Sequence, residues 1–378
     1  MHHTLYIVGG GMHHANELTR CALAVLVGIL LVAATQGCAV VGPSALSRGR
    51  AAYAEVIAET NAEQSLGLLV RLRYGTPWSL VAVSSVTANV RFNANARGEI
   101  GVGPDASFAG ALVPLSGGVA YEENPTISYL PVHGDRHLRQ LLSPIPTDVL
   151  VPVVNSSLDA GNSLALLVTS MNRIPNPAFV ATPEAAQDDR FSRLADLMGA
   201  LSRAGALQFV ESATKEAAFS LWIHDYAPAY QQHVNELLAL LNVDDAATSN
   251  EDIFLEVVSS PHSRGARSLS IQTRSVYDLA QIGAASVDVP EVDRSSGLTT
   301  EYPKLGLAGG KMTIRRAQER PRDAIAAVRF RDWWYYIDGR DLHGKRFFRT
   351  FEALLSARLA DTVEGARTAP VLTVPVAR

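Results

Sequence analysis

The chain contains a single long apolar segment without charge, residues 21–34, and this segment divides its 378 residues into two unequal parts. Fourteen residues extend about 21 Å as a helix, which is shorter than the hydrocarbon core of a bilayer, about 30 Å. This length is typical of the apolar centre of a secretory signal peptide, and Arg20 precedes it as the basic residue. The remainder is therefore expected to fold as an exported body, and a polytopic membrane protein is excluded.

A motif for lipid attachment follows the apolar segment. The sequence Thr-Gln-Gly-Cys at residues 35–38 resembles the lipobox of bacterial lipoproteins, in which the cysteine sulfur carries a lipid and the preceding peptide is removed. Gly37 and Cys38 fit this pattern, whereas Thr35 and Gln36 depart from it. We expect Cys38 to carry the lipid, with palmitate among its acyl groups. Several acyl chains on one residue anchor a protein stably in a membrane. A plain secretory signal cut near Gly37, or a retained apolar anchor, are the alternatives.

The residue after Cys38 predicts where in the cell the protein lies, and the motif divides the chain into its expected parts. Ala39 rather than Asp follows Cys38, the arrangement found in lipoproteins sorted to the outer membrane. We expect a cell-envelope protein, held at the outer membrane by its lipid and facing the periplasm, with an envelope protein as partner. The predicted parts are a signal peptide at 1–37 that starts at Met1 or Met12, a Gly/Ser/Pro tether at 38–50, and one body at 51–378 with a possible sub-boundary near 205–217.

Composition limits the chemistry of the body. Both cysteines lie at or before residue 38, which excludes disulfides, thiolate metal sites and a cysteine nucleophile beyond it. The apolar fraction of 47% and the net charge of −4 exclude a largely disordered chain and argue against a nucleic-acid binder. No cofactor is predicted.

Helical and extended patterns are mixed along the body without a regular β-α-β alternation. This predicts an α+β fold of mixed helices and mostly antiparallel sheet. Helices are expected at 51–73, 135–142, 188–203, 230–241, 273–282 and 341–360, and strands at 78–92, 124–131, 218–224, 254–258, 312–315, 326–337 and 371–376. A hairpin or long loop is expected at 93–123 and a connector at 287–310, while periodicity leaves 148–154 and 164–171 undecided between helix and strand.

The densest aromatic cluster is the candidate binding site. Alternation along a strand would place Trp333 and Tyr335 on one face and Trp334 and Tyr336 on the other. One face would pack the core, and the second would either be covered by a helix or form a binding platform for a glycan or a partner. Residues 311–378 also carry 14 Lys and Arg against 8 Asp and Glu. This basic excess either forms a solvated face or meets lipid phosphates or anionic glycans.

Metal and nucleotide sites have little support in the sequence. His133 and His137 stand four residues apart, as two zinc ligands on a helix would, but no third ligand is evident, and surface polar residues at a helix start explain them as well. The glycine-rich residues 306–312 lack the spacing and the Ser or Thr of a phosphate-binding loop. We therefore predict no metal site and no bound nucleotide.

No hydrolase motif is complete either. Residues 161–165 only faintly match a nucleophile elbow, and Ser84 and Ser85 fall inside a predicted strand. The histidines that would serve as bases are His224, His262 and His343. A pair of carboxylates, as in glycosidases, leaves no local signature. No catalytic residue is predicted, although enzymatic activity stays open.

Several segments of the chain are distinctive: NAEQ at 61–64, LLVRLRY at 68–74, Pro77, VSSV at 83–86, NPTISY at 124–129, QTRSV at 272–276, VRFRDWWYYID at 328–338, Asp341–Leu342 and PVLTVPV at 370–376. Together they resemble a family of uncharacterised bacterial lipoproteins. The resemblance implies a lipoprotein of one whole domain and no particular activity. A Ser–Lys pair often follows the Asp–Leu in that family, whereas Gly344 and Lys345 stand here. We expect a non-catalytic binding or assembly component of a periplasm-facing complex, the alternative being an envelope hydrolase acting on glycan, lipid or peptide.

Overall fold

A computed structural model describes twelve stretches of the chain: residues 51–87, 90–97, 116–123, 126–132, 135–157, 159–177, 189–214, 217–243, 252–259, 267–302, 312–365 and 372–375. The predicted signal peptide, Cys38, the tether and His133 lie outside them. The chain divides into two compact units, Met1–Asn61 and Ala62–Arg378. The first is described only over its helical residues 51–61. The second holds every strand and site discussed below.

The α+β prediction is confirmed, with helices mixed among mostly antiparallel strands. The helices are α1 (51–73), α2 (Asp135–Leu142), α3 (Thr147–Asn155), α4 (Ala160–Leu167), α5 (Arg190–Arg203), α6 (Gln231–Leu241), α7 (Val276–Ala285), α8 (Glu291–Ser295) and α9 (Leu342–Gly365). The strands are β1 (Leu80–Thr87), β2 (Val90–Arg97), β3 (Ser116–Glu123), β4 (Thr126–Val132), β5 (Val168–Met171), β6 (Ile174–Pro175), β7 (Leu207–Glu211), β8 (Phe219–Ile223), β9 (Ile253–Val258), β10 (Ser268–Thr273), β11 (Arg315–Ala317), β12 (Ala324–Phe330), β13 (Trp333–Asp338) and β14 (Leu372–Pro375). None of the helices in the described stretches has the length and apolarity to span a bilayer.

The largest sheet has six strands in the order β6-β5-β10-β9-β8-β7. Its pairs are antiparallel except β9 with β10, which run parallel. Alternation along β7 and β9 buries Leu207, Phe209, Ile253, Leu255 and Val257 on one face. Helices α3, α4 and α5 contact the strands of this sheet, and α6 packs on α5. The apolar half of each amphipathic strand is thereby removed from water.

Helices α4 and α5 approach one another closely because glycines lie at their contact. A Cβ added at Gly161 would overlap the carbonyl oxygen of Ala195, and one at Gly199 would lie 3.3 Å from the amide nitrogen of Gly161. Gly161 is therefore a packing residue in the first turn of α4. This position explains the glycine that resembled part of a nucleophile elbow, and the following residues belong to a helix, not to a strand–turn–helix junction.

Three smaller sheets complete the structure. β1, β4 and β14 form one sheet in the order β1-β4-β14, and β2 pairs with β3 in the hairpin expected at 93–123. β11, β13 and β12 form an antiparallel sheet with β13 in the centre. Helix α9 contacts β1, β4 and β13, and its buried face carries Phe347, Phe348, Phe351, Leu354 and Leu355.

The structure corrects several predicted elements. Residues 326–337 form two strands, not one, because the chain reverses at Arg331, whose φ of 53° is left-handed. Strands β6, β7 and β10 were not predicted, and the connector at 287–310 contains α8. The undecided run 148–154 is helical, whereas 164–171 changes from α4 into β5 at Val168. The single strand predicted at 78–92 is divided between β1 and β2, which belong to different sheets. The remaining predicted helices and strands of the described residues are present within a few residues of their expected ends.

Candidate binding surface

The four aromatic residues of β13 divide between two faces, as alternation predicts. Tyr335 is fully buried on the inner face, and Trp333 on the same side is partly buried against the core. Arg316 on β11 lies over the Trp333 ring, with its guanidinium carbon 4.8 Å from the ring centroid. Tyr335 is therefore not accessible to a ligand at the surface, and Trp333 is largely occupied by packing.

The Tyr335 hydroxyl joins a short hydrogen-bonded chain. The Tyr74 hydroxyl lies 2.6 Å from that of Tyr335 and donates to the Asp293 Oδ2 atom at 2.7 Å, so Tyr335 must donate to Tyr74. Burial raises the pKa of Tyr74 well above its ordinary value, and the bonds to Tyr335 and Asp293 raise it further. Burial also raises the pKa of Tyr335. Both tyrosines stay protonated, and they connect the turn after α1 with α8 and β13.

The outer face of β13 combines aromatic and arginine side chains. Trp334 and Tyr336 lie there half-buried, and the exposed Arg329 on β12 stands directly opposite Trp334. Arg320 lies over the Trp334 ring, with its guanidinium carbon 5.6 Å from the centroid, while it donates to Glu63 Oε1 at 3.1 Å. We call this outer face, with Arg329, Trp334, Tyr336 and Arg320, the arginine–tryptophan face.

Arginine is concentrated around this sheet. Residues 315–340 contain seven arginines and no lysine, against four acidic residues. Four of the seven form ion pairs: Arg315 with Asp338, Arg316 with Asp288, Arg320 with Glu63 and Arg340 with Asp323. Within the described residues Arg322, Arg329 and Arg331 have no ion-pair partner, and Arg331 instead lies over the Tyr74 ring. In this part of the structure Arg329 is thus an unpaired cation beside an accessible tryptophan.

A separate open cleft of about 450 Å³ lies at the C-terminal end of α1. Its described walls include the aromatic residues Trp78, Tyr277 and Tyr302. Gly75 forms the turn after α1 with a φ of 60°, and the Thr300 amide donates to the Arg73 carbonyl at 2.8 Å, which brings residues 300–302 against that turn. The polar side chains of the cleft are Thr76, Gln281, Thr300 and Glu301.

A buried arginine stands beside the cleft. Arg73 is 9% exposed, its Nε has no hydrogen-bond partner among the described residues, and its guanidinium carbon lies 5.4 Å from the centroid of Tyr302. Burial and the nearby Arg294 cation lower the pKa of Arg73, while Tyr302, Tyr74 and the Glu301 carboxylate act in the opposite direction. Burial raises the pKa of Tyr302, with a smaller contribution from Tyr277. The exposed Glu301 carboxylate and the buried Arg73 cation therefore lie close enough to interact.

The structure separates the other residues that the sequence singled out. His137 is not a surface residue but is buried, with neither ring nitrogen hydrogen-bonded to the described residues, and burial lowers its pKa. In the described stretches no three His, Cys, Asp or Glu side chains cluster as metal ligands would. His224 stacks on Trp222 with ring centroids 3.7 Å apart, while His343 is exposed at the start of α9. His262 and most of residues 306–312 lie outside the described residues.

The residues required by a hydrolase are not assembled at the cleft. Among its described lining residues Glu301 is the one carboxylate, and neither Ser nor His is present. The cleft itself was not predicted from the sequence. Trp78, Tyr277 and Tyr302 are brought together from three distant segments, and the only local signal is the i, i+4 spacing of Tyr277 and Gln281 on α7.

Comparison with known proteins does not assign this chain to a family, since no family model, no curated protein and no solved structure matches it.

Proposed function

We propose that this protein is a lipid-anchored component of the cell envelope that binds an acidic partner protein through the arginine–tryptophan face. The observation that carries the proposal is that Arg329 and Trp334 stand opposite one another in the register of β12 and β13. Arg329 is exposed and lacks an ion-pair partner in the described part of the chain, and it lies directly across from a half-buried tryptophan. Trp, Tyr and Arg are the residues that most often dominate the binding energy of protein interfaces.

The chemistry of this face favours a protein over a lipid surface. Membrane-binding basic clusters rely on the summed charge of several free lysines and arginines, whereas four of the seven arginines around this sheet are neutralised by ion pairs. The Arg329 guanidinium, unpaired within the described residues, can bind the planar carboxylate of an Asp or Glu through two hydrogen bonds, and Trp334 beside it adds an apolar contact that a partner protein can cover. Anchoring through Cys38 and assignment to a family of bacterial lipoproteins belong to the same proposal and are supported by the lipobox and the sequence resemblance.

The test is crosslinking in intact cells, followed by mass spectrometry, with Arg329→Glu and Trp334→Ala. Each change should reduce the crosslinked partner about tenfold or more, because charge reversal opposes an acidic surface and truncation removes the central aromatic contact. Arg322→Glu is the matched control, since it makes the same charge change at an exposed arginine without an ion pair among the described residues. Trp222→Ala controls for loss of a half-buried tryptophan on another sheet.

Two results would contradict the proposal. The first is unchanged partner recovery with Arg329→Glu and Trp334→Ala while thermal unfolding shows that both variants are folded. The second is binding of the Cys38→Ala protein to vesicles containing anionic phospholipid that is lost with Arg329→Glu. That result would assign the face to the membrane.

A further inference from the structure

We infer that the cleft at the end of α1 binds a neutral saccharide. The cleft is distinct from the arginine–tryptophan face, and its volume of about 450 Å³ lies in the range of small-ligand sites. The inference rests on three properties of the walls: their aromatic rings, their unused hydrogen-bonding groups and their charged groups of both signs.

Aromatic rings supply the apolar part of the site. Trp78, Tyr277 and Tyr302 line the cleft, and each is half-buried. Sugar rings have an apolar face of C–H groups that packs on the face of an aromatic ring, while their hydroxyls point outward. The Tyr302 ring is held in place by the Arg73 guanidinium against it. A rigid ring loses little conformational freedom when a ligand binds.

The polar groups of the cleft are the kind that recognise hydroxyls. Within the described residues, the Trp78 indole, the Tyr277 hydroxyl and the Gln281 amide form no hydrogen bond to the protein. A tyrosine hydroxyl and an amide can each donate and accept, as a sugar hydroxyl also does. Tyr277 and Gln281 stand one turn apart on α7, so both face the same ligand.

The charges of the cleft favour a neutral ligand over an ion. Glu301 would attract a cation, but the buried Arg73 interacts with that carboxylate, and a second cation, Arg294, lies near Arg73. An anion would meet Glu301 at the wall, and the Arg73 Nε lies buried against Tyr302. Charged groups of both signs therefore lie at the cleft, whereas an uncharged hydroxyl finds hydrogen-bond donors and acceptors among its lining residues.

Isothermal titration of the full chain in detergent tests the inference. The probes are mono- and disaccharides of glucose, galactose and N-acetylglucosamine, with choline and inorganic phosphate as charged alternatives. We expect at least one saccharide to bind with a Kd below about 10 mM and neither ion to bind. Gln281→Ala and Tyr277→Phe should each weaken that binding about fivefold to tenfold, since each removes a group that hydrogen-bonds the ligand.

The controls separate this site from the proposed partner surface. Gln208→Ala, on the edge strand β7, makes the matched amide-to-methyl change and should leave saccharide binding unchanged. Trp334→Ala should also leave it unchanged, so that loss of partner binding and loss of saccharide binding are distinguishable. The inference is overturned if no saccharide binds at about 10 mM, if choline or phosphate binds in place of sugar, or if folded Gln281→Ala and Tyr277→Phe variants bind like the unaltered chain.

Discussion

At the scale of single residues, the closest constraint is the contact of Gly161 with helix α5. A methyl group at this position would overlap the Ala195 carbonyl oxygen, which is backbone and cannot rotate away. Gly67 on α1 is different, because a Cβ there would lie 3.7 Å from the Val328 Cγ2 atom, an ordinary van der Waals distance. The same substitution should therefore have opposite effects at the two glycines.

Gly161→Ala is predicted to lower the free energy of unfolding by about 1–3 kcal/mol, the usual cost of overpacking a core. Gly67→Ala should raise it by about 0.5–1 kcal/mol, since alanine loses less backbone entropy in a helix. Urea unfolding of both variants measures the difference. A Gly161→Ala protein as stable as the unaltered chain would show that α4 and α5 are not in the described contact.

Buried His137 should make stability depend on pH. Burial lowers its pKa in the folded state, whereas the unfolded chain keeps a pKa of about 6.5. Below that value the unfolded state binds more protons than the folded state, so the free energy of unfolding falls as the pH falls from about 7 to about 5.5. Urea midpoints across this range should drop less in His137→Leu than in the unaltered chain. Leucine at the exposed His343 is the control and should keep the full slope; an equal slope in all three proteins would contradict the assignment.

At the scale of elements, helix α7 matters most because it carries Tyr277 and Gln281 into the cleft. Its start is defined by a capping box, in which the Ser275 hydroxyl accepts from the Asp278 amide at 3.0 Å and Asp278 Oδ2 accepts from the Ser275 amide at 2.8 Å. Two backbone donors are thereby satisfied at a buried helix end. The first turn of α7, where Tyr277 lies, depends on this box.

Ser275→Ala should destabilise the chain by about 1 kcal/mol, within a range of about 0.5–2 kcal/mol for lost N-caps. Ser295→Ala on α8 changes an exposed serine and should stay within about 0.5 kcal/mol. Thermal unfolding of the two variants gives the comparison. If saccharide binding by the cleft is also measured, Ser275→Ala should weaken it at a temperature where the protein is still folded. Equal stability of the two variants would contradict the role of the cap.

Elements could be predicted from sequence where their signal is local. Helix α2 matches its predicted range, and α5, α6 and α9 lie close to theirs, because their apolar residues recur at helical spacing. Strands β7 and β10 do alternate apolar and polar residues, but they have only five and six residues, which is too short a run to stand out from the neighbouring segments. The hairpin of β12 and β13 was missed because its turn at Arg331 contains no glycine or asparagine.

The site was predictable only in part for the same reason. Alternation along β13 correctly separates Trp333 and Tyr335 from Trp334 and Tyr336. It does not show that Arg329 would stand opposite Trp334, since that depends on the register of the hairpin. The cleft depends on the packing of α1, α7 and residues 300–302, which no periodicity in the chain encodes.

At the scale of the whole molecule, the body contains no cysteine beyond residue 38, so a cysteine substitution can test attachment to the membrane without disturbing a disulfide. Cys38→Ala should move the protein from the membrane fraction to the soluble fraction and abolish incorporation of labelled palmitate, because the acyl chains have no other attachment point in the lipobox. Cys21→Ala, the matched change inside the apolar segment, should leave both unchanged. Palmitate labelling that survives Cys38→Ala would refute the predicted anchor.

The last turn of α1 also has a consequence for how the molecule responds to ligands. Arg71 lies over Phe330 and Tyr74 bonds Tyr335 on the inner side of the three-stranded sheet, while Leu72 lines the cleft. The end of α1 thus contacts the inner side of the sheet whose outer side is the arginine–tryptophan face, and it also lines the cleft. Any thermodynamic linkage between the two proposed sites is reciprocal. If an occupied cleft raises the affinity for the partner by some factor, partner binding raises the affinity for the saccharide by that same factor.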